Sequence, residues 1–359
     1  MRKRVLITGG AGFIGSHLAD ELLARGAMVR ALDNLEPQVH GAGCTRPEYL
    51  HPDVELVRGD VRDPAAVRRA LVGVDAVVHL AARVGVGQSM YELTEYTSTN
   101  NLGTATLLEA LCAHPVERLL VASSMSIYGE GLYRDSDGRL QAHVERAPQA
   151  LGRGEWEPRD RSGAPLEPVP TPESKRPALA SLYALSKYDQ ERMCLMVGQS
   201  YRIPTVALRL FNVYGPRQAL SNPYTGVLAI FAARLLNRRA PLVFEDGRQR
   251  RDFVSVHDVA LAFVKALESD RAAGQALNIG SGRSFTVNEV ALRLAAVLGV
   301  EEIFPEITRQ YRVGDIRHCF ADIARARELL GYRPAVRFED GLVELADWLA
   351  GQVAVDRVA

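Results

Sequence analysis

The sequence predicts an α/β fold: a doubly wound parallel sheet carrying a smaller C-terminal lobe. Two observations carry that prediction. Short, nearly all-apolar runs alternate with longer amphipathic stretches, as expected of strands covered on both faces and joined by crossover helices. A glycine-rich turn links the first such run to the first amphipathic stretch, and open sheets of this kind bind ligands at the carboxyl ends of their strands.

The elements follow in order. Val5–Thr8 is the first strand and Phe13–Arg25 the first helix. Strands are expected at Met28–Asp33, Val54–Val57, Ala76–Leu80, Arg118–Ser123 and Thr205–Leu210. Crossover helices are expected at Pro64–Val72, Thr99–Ala113 and Ser181–Gln199, the last opened by Ser181-Leu182. Tyr133–Pro177 is rich in Pro, Arg, Gly and Glu and lacks apolar periodicity. It reads as a long surface excursion or lid. Beyond Leu210, Val227–Leu236 and Val287–Leu298 are expected as helices and Ala276–Ile279 as a strand. Two further helices, Ile323–Leu330 and Phe338–Leu349, are separated by a stop at Gly331. The expected division is residues 1–211 for the dinucleotide-binding domain, with later returns near 252–282. Residues 212–251 and 283–359 form the substrate lobe.

Composition narrows the function. The chain has 359 residues, 47% hydrophobic and 24% charged, which suits a globular enzyme. Lys+Arg and Asp+Glu are each 43, so no global field selects for nucleic acid or an anionic membrane. The apolar run after Met1-Arg2-Lys3-Arg4 ends at Thr8-Gly9-Gly10, too short for a signal sequence, and no stretch reaches membrane-span length. The cysteines (Cys44, Cys112, Cys194, Cys319) are scattered and read as reduced thiols of a cytoplasmic protein. No His/Cys/Asp cluster has zinc spacing, so no metal is expected.

The turn Thr8-Gly9-Gly10-Ala11-Gly12-Phe13-Ile14-Gly15 sits between a strand and a helix. Glycines at 9, 12 and 15 permit a tight turn and close approach of a pyrophosphate to backbone N–H groups at a helix N-terminus. The second strand ends at Asp33-Asn34, with Asp33 placed 24 residues after Gly9. A carboxylate there accepts ribose hydroxyls and repels a 2′-phosphate, which favours NAD over NADP. Asp60-Val61 ends the third strand, where the aspartate faces an adenine or simply forms a turn.

Tyr183 and Lys187 form a Tyr-x-x-x-Lys pair sharing one helical face. A free phenol has a pKa of about 10, and a neighbouring ammonium plus a positive nicotinamide favour the phenolate. Serines 123, 124 and 126 lie at the end of the fifth strand, where a hydroxyl can donate to a sugar oxygen.

Taken together, TGGAGFIG, Asp33, HLAA at 79–82, SSMSIYG and YALSK resemble the extended short-chain dehydrogenase/reductases, the NAD-dependent epimerase/dehydratase family. The resemblance runs to about residue 345. It implies a Rossmann fold, bound NAD and a catalytic set of Ser124, Tyr183 and Lys187. It places Leu80, Ala81, Ala82 and Asn100 beside the cofactor. Arg209-Leu210-Phe211-Asn212-Val213-Tyr214-Gly215-Pro216, Arg251-Asp252-Phe253 and Arg312-Val313-Gly314-Asp315 match segments that hold a nucleotide-sugar diphosphate. This implies Asn212, Arg251, Arg312 and Asp315 as substrate contacts, with Ser124 and Ser126 at the sugar. Two arginines suit a diphosphate through bidentate bonds.

One departure narrows the reaction. The family's 4,6-dehydratases carry Asp-Glu after the catalytic hydroxyl, and its sugar-acid decarboxylases carry the glutamate. Here those positions are Met125 and Ser126, which cannot move a proton at neutral pH. What remains is oxidation and reduction at one carbon, as in C4 epimerisation through a 4-keto sugar. The long 133–177 stretch, SSMSIYGEG and SNPYTGV at 221–227 resemble a subgroup acting on dTDP-6-deoxyhexoses. A UDP-hexose or UDP-uronate 4-epimerase is the nearest alternative, and a net nucleotide-sugar oxidoreductase shares the same residues. A non-catalytic dinucleotide sensor is disfavoured because Tyr183 and Lys187 are both present. The family habit of pairing two helices into a four-helix bundle implies a homodimer through Leu102, Ala105, Leu108, Leu185, Tyr188 and Leu195, although such stripes equally serve to cover the sheet.

Overall fold

The computed structural model describes residues 3–219, 226–312 and 315–352. Ser221–Thr225 of the SNPYTGV motif, and Val313 and Gly314, lie outside the described residues.

Seven strands form the central sheet: β1 (Arg4–Thr8), β2 (Met28–Asp33), β3 (Glu55–Arg58), β4 (Ala76–His79), β5 (Arg118–Ser124), β6 (Thr205–Leu210) and β7 (Ala276–Ile279). Their spatial order is β7-β6-β5-β4-β1-β2-β3 and every pairing is parallel. The order in which strands are added to the sheet therefore reverses between β1 and β4, which opens the ligand crevice at their carboxyl ends.

The alternation of side chains along β1 explains both layers. Val5 and Ile7 point to one face, where helices α1 (Phe13–Ala24), α6 (Val256–Glu268) and α8 (Ala324–Leu330) cover them. Leu6 points to the other, against α2 (Pro64–Leu71), α3 (Gly103–Ala113) and α4 (Leu182–Tyr201). Each such fully buried side chain stabilises by about 1.5–3 kcal/mol relative to exposure. A separate apolar cluster builds the smaller lobe from α5 (Val227–Leu236), α7 (Val287–Val297) and α9 (Phe338–Leu349). Phe338 there stacks on Phe285 at 4.4 Å between ring centroids.

Two expectations change. The helix predicted from Thr99 begins as a π-helical turn over Thr97–Leu102 and becomes α-helical only at Gly103. π-turns often mark functional sites, and this one holds buried Asn100. The 133–177 stretch is not a loose surface excursion. Leu132–Arg134 pairs antiparallel with both Leu140–Gln141 and Glu167–Val169. Its Tyr133, Leu151, Leu166 and Thr171 are buried. The periodicity is missing because the strands are only two or three residues long.

All four cysteines are free thiols. Among the described residues, no helix is long and apolar enough to cross a membrane.

Candidate active site

The glycine turn closes on β4. Gly9 has φ +69°, a left-handed conformation, and a Cβ there would lie 2.9 Å from the Ala81 amide nitrogen. A Cβ on Gly15 would lie 2.4 Å from the Gly9 carbonyl oxygen. The turn thus leaves no room for side chains, and its bare backbone fronts the start of α1, a fit for a pyrophosphate. Phe13 and Ile14 open that helix, half-buried, while Gly12 caps it without a side-chain bond.

Asp33 ends β2 with 7% exposure. One carboxylate oxygen accepts from the Ala11 N–H at 3.0 Å and the other from the Leu35 N–H at 2.9 Å. Each oxygen keeps a free lone pair, which suits the ribose of an adenosine. Asn34 donates to Asp60 at 3.3 Å. The Asp60 carboxyl is engaged by Arg62 at 2.8 Å. Burial pushes its pKa up, and the Arg62 bonds more than offset that, so the group stays ionised. Val61 beside it is buried in the sheet's covering layer.

The Leu80-Ala81-Ala82 segment is pinned from three sides. The Ala81 N–H donates to Thr8 Oγ1 at 3.3 Å, and Gln190 Nε2 donates to the Ala81 carbonyl at 3.3 Å. Asn100 accepts from the Arg83 N–H at 2.7 Å, donates back to the Arg83 carbonyl at 3.1 Å, and donates to Ser186 Oγ at 2.9 Å. Asn100 therefore fixes the segment after β4, with both of its amide protons given to protein acceptors.

His79 lies beneath this segment. Thr104 donates its hydroxyl proton to the Asn100 carbonyl, so it accepts from His79 Nε2 at 2.9 Å. His79 Nδ1 then accepts from Thr8 Oγ1 at 2.7 Å. Burial, aided by the Lys187 charge, lowers the imidazole pKa to about 3 and keeps it neutral.

Helix α4 positions the chemistry. Ser181 caps it by accepting from the Ala184 N–H at 3.1 Å, and Ser89 Oγ accepts from the Tyr183 N–H at 3.0 Å. Buried Glu191 anchors the helix to the sheet, taking Arg209 at 2.7 and 2.9 Å and Ser123 at 2.6 Å. Arg209 of the RLFNVYGP segment is thus a structural ion pair. At the helix start, Ser126 donates to Ser124 Oγ from its hydroxyl at 2.9 Å and from its N–H at 3.2 Å. That leaves Ser124 its own proton to give. Burial raises the half-buried Tyr183 phenol's pKa, and a hydrogen bond from Ser124 pulls it back. Lys187, one turn on, is turned toward Gln190, donating to Oε1 at 2.7 Å. Burial drops its pKa to about 8. The ammonium and phenol share a face, as the spacing predicts, but the ammonium is held by Gln190 and so tied to the Ala81 wall.

On the lobe side, Asn212 donates to the Asp252 carbonyl at 2.9 Å. The Asp252 carboxylate accepts from the Ser281 N–H at 2.7 Å, the Gly282 N–H at 2.9 Å and the Ala321 N–H at 3.3 Å, which fixes the turn behind Arg251. Arg251 donates to the Arg317 carbonyl at 3.0 Å and to the Ile316 carbonyl. Arg312 lies over the Phe244 ring at 4.2 Å. Burial raises the Asp315 carboxyl, against the opposing charges of Arg312, Arg251 and Arg146. Arg251, Arg312 and Asp315 are therefore one cluster.

The sequence reading missed Glu130, Arg146, Glu157, Glu245 and Arg317. Arg317 is fully buried and bonds to Glu157 at 2.5 Å, Glu245 at 2.9 Å and Asp246 at 2.6 Å. No local pattern marks these partners, which lie 160, 72 and 71 positions away.

The sequence model of the NAD dependent epimerase/dehydratase family matches residues 5–148 and 162–280. The chain is 36% identical to a dTDP-L-rhamnose 4-epimerase of Burkholderia thailandensis, over 98% of this chain and 96% of that one. It is 30% identical to a putative UDP-glucose 4-epimerase of Methanocaldococcus jannaschii, over 96% and 98%. Among solved structures, the UDP-glucose 4-epimerase of Thermus thermophilus in complex with NAD aligns with a TM-score of 0.74 at 34% identity, over 97% and 99% of the two chains. The UDP-glucuronic acid 4-epimerase of Bacillus cereus, in complex with UDP-glucuronic acid and NAD, aligns with a TM-score of 0.77 at 26% identity, again over 97% and 99%. With the glycine cradle, the Asp33 carboxylate and the Ser124–Tyr183 pair in place, these matches make the chain an NAD-dependent member of the epimerase/dehydratase family.

Proposed function

We propose that this enzyme epimerises C4 of a nucleotide-diphosphate sugar, and that its substrate is a dTDP-linked 6-deoxyhexose. One observation carries the choice of reaction. Met125 and Ser126 stand where the family's dehydratases carry an acid and a base, and Ser126 offers only a hydroxyl, which donates to Ser124 Oγ at 2.9 Å. Similarity to the Burkholderia enzyme supports the choice of sugar nucleotide.

The roles follow from the bonds. Ser126 saturates Ser124 Oγ as an acceptor, so Ser124 points its proton outward to Tyr183 or to the sugar O4. Tyr183 Oη takes the O4 proton as the 4-keto sugar forms and returns it afterwards. Lys187 supplies a positive charge on the same helical face. Gly9, Gly12, Phe13, Ile14, Gly15, Asp33, Asn34, Asp60, Val61, Leu80, Ala81, Ala82 and Asn100 form the cofactor cradle. When bound, NAD supplies reversible hydride acceptance at the sugar carbon. Asn212, Arg251, Arg312 and Asp315 hold the diphosphate and nucleoside.

On this reading residues 1–211 and the returns near 252–282 form the cofactor domain, and 212–251 with 283–359 the sugar-nucleotide lobe. The protein works in the cytoplasm as a homodimer. Leu102 and Leu185 support the dimer, being 57% and 41% exposed on the helices expected to pair. Leu108, by contrast, faces the sheet at 3% exposure and takes no part. Leu185→Asp is expected to yield monomers on size-exclusion chromatography with light scattering; an unchanged dimer places the interface elsewhere.

The substrate test supplies dTDP-L-rhamnose, UDP-galactose and UDP-glucuronate separately and resolves the products by NMR. The expected result is an equilibrium mixture of C4 epimers from the dTDP sugar alone, without net NADH. Turnover confined to a UDP sugar moves the assignment to a UDP-hexose or UDP-uronate 4-epimerase. Stoichiometric NADH makes the enzyme a net oxidoreductase.

A further inference from the structure

We propose that the 133–177 segment is a fixed wall of the sugar-nucleotide site and that Arg146 is its positioning residue. This rests on the reading above, in which Arg312 and Asp315 grip the nucleotide.

Side chains from distant parts of the chain hold the backbone of residues 315–318. Arg146 donates to the Asp315 carbonyl. Arg251 donates to the carbonyls of Ile316 and Arg317. Glu130 accepts from the Arg317 N–H at 2.7 Å and the His318 N–H at 3.2 Å. Every one of those bonds comes from a charged side chain, and an unmatched buried charge is costly. These bonds add to the backbone bonds that the Arg250 and Gly131 N–H groups donate to the carbonyls of Arg317 and His318.

Arg146 joins those partners. Its side chain is 5% exposed and donates to Glu130 at 3.0 Å and Glu245 at 2.6 Å as well as to the Asp315 carbonyl. A planar guanidinium can serve three fixed acceptors at once, and an ammonium on a flexible stem matches that geometry poorly. Arg146 thereby locks the turn after β5, the Phe244–Asp246 loop beneath Arg312, and the Asp315 backbone into one unit.

Glu157 provides a second clamp, to Arg317 at 2.5 Å and His318 at 2.9 Å. Trp156 packs against Tyr311, the neighbour of Arg312, at 6.3 Å between ring centroids. Thr171 completes the attachment, its N–H donating to the Phe320 carbonyl at 2.8 Å and its carbonyl accepting from Asp322 at 3.1 Å. The family model leaves 149–161 unmatched, and Trp156 and Glu157 fall inside that gap. The clamp is set against the nucleotide end of the site. None of these residues bonds to Ser124, Tyr183, Lys187 or the glycine turn, so its loss should weaken grip without slowing chemistry.

The experiment titrates dTDP and UDP, by calorimetry, into NAD-loaded wild type, Arg146→Lys and Glu157→Gln. Steady-state kinetics on the preferred sugar nucleotide, NAD content and circular dichroism accompany it. Arg146→Lys keeps the charge but loses the three-way fork, and Glu157→Gln is a milder change should the first variant fail to fold. We expect KM and the nucleoside-diphosphate Kd to rise about tenfold in Arg146→Lys and about threefold in Glu157→Gln. NAD content should be unchanged and kcat should stay within about threefold. Wild-type binding with unaltered affinity in folded variants overturns the wall. So does a fall in kcat at constant KM, or loss of NAD. A wild type that binds neither nucleoside diphosphate instead sinks the underlying assignment of Arg312 and Asp315, a distinct failure.

Discussion

Compare the glycine-rich turn with Arg312 and the 315–318 segment. Both are assigned to phosphate-bearing ligands, but they are made differently. The turn is bare backbone: Gly9 lies against Ala81 and Gly15 against Gly9, with no room for a Cβ. Its conformation is set by contacts within the turn and with the ends of the two strands beside β1, β2 and β4. The 315–318 segment is held by Arg146, Arg251, Glu130, Glu157 and Glu245, drawn from distant parts of the chain. A backbone cradle serves any dinucleotide. A cradle of buried charge depends on each partner and can be shaped to one ligand. On the proposed reading the enzyme pairs a cofactor end of bare backbone with a substrate end of buried charge.

The proposed chemistry lies between the two, on α4, so the largest effect should come from a residue belonging to neither. Tyr183→Phe removes the proton carrier while leaving both cradles intact. It should lower kcat by about 10²–10⁴-fold, the usual worth of general acid–base catalysis, with NAD content and nucleotide affinity unchanged. Turnover near wild type would move the proton transfer to another group.

Next in size is the charged cradle itself. Arg317→Met leaves Asp246 without its guanidinium and Glu157 with only His318. Removing one partner of a buried ion network costs about 3–5 kcal/mol, which urea denaturation should register as a lower midpoint. Glu157 is 35% exposed at its side chain, so Glu157→Gln should cost much less. Equal effects would mean that the network behaves as a surface feature.

The backbone cradle should respond more weakly in stability and more strongly in ligand. Gly9→Ala forces an L-residue to φ +69° with its Cβ 2.9 Å from a backbone nitrogen. The left-handed conformation alone costs about 1–2 kcal/mol, and the turn must shift to relieve the contact. The protein should fold but purify without NAD, measured by release and enzymatic assay of the nucleotide. Retained NAD would mean that the turn tolerates a side chain.

The same contrast explains what the sequence made legible. The sheet, the crossover helices and the cofactor turn rest on spacings of a few residues, and the structure puts Gly9 in the turn after β1, Asp33 at the end of β2 and Tyr183 at the start of α4, as those spacings imply. Strand ends moved by a residue, as at Glu55–Arg58, because apolar content does not mark where pairing stops. The π-turn at Thr97–Leu102 was hidden because it depends on Asn100 reaching Arg83 and Ser186. The short paired strands within 133–177 are hidden from the sequence for the same reason. The order of that segment comes from pairs such as Arg317–Glu157, and a charge in the sequence does not name its partner. Arg209 likewise read as part of a ligand motif, when its role is to bind Glu191.

The smallest effect tests whether the cofactor side carries any stored electrostatic cost. Lys187 is the exception there, a buried cation hydrogen-bonded to the neutral Gln190 amide, whose burial outweighs the opposing pull of Cys194 and Glu191. Burial lowers its pKa from 10.5 to about 8. Below pH 8 both folded and unfolded states hold the proton, so the burial penalty is fully present. Between about 8 and 10.5 only the unfolded state holds it, and stability rises with pH across that window. In cofactor-free protein, Lys187→Met should therefore stabilise at pH 7 by on the order of 1 kcal/mol. That advantage should shrink as the pH climbs toward 10, while activity is lost throughout. Urea denaturation of both proteins at pH 7 and pH 9.5 measures it. A gap independent of pH would mean that the ammonium is not penalised, and the cofactor end would then be free of stored charge cost altogether.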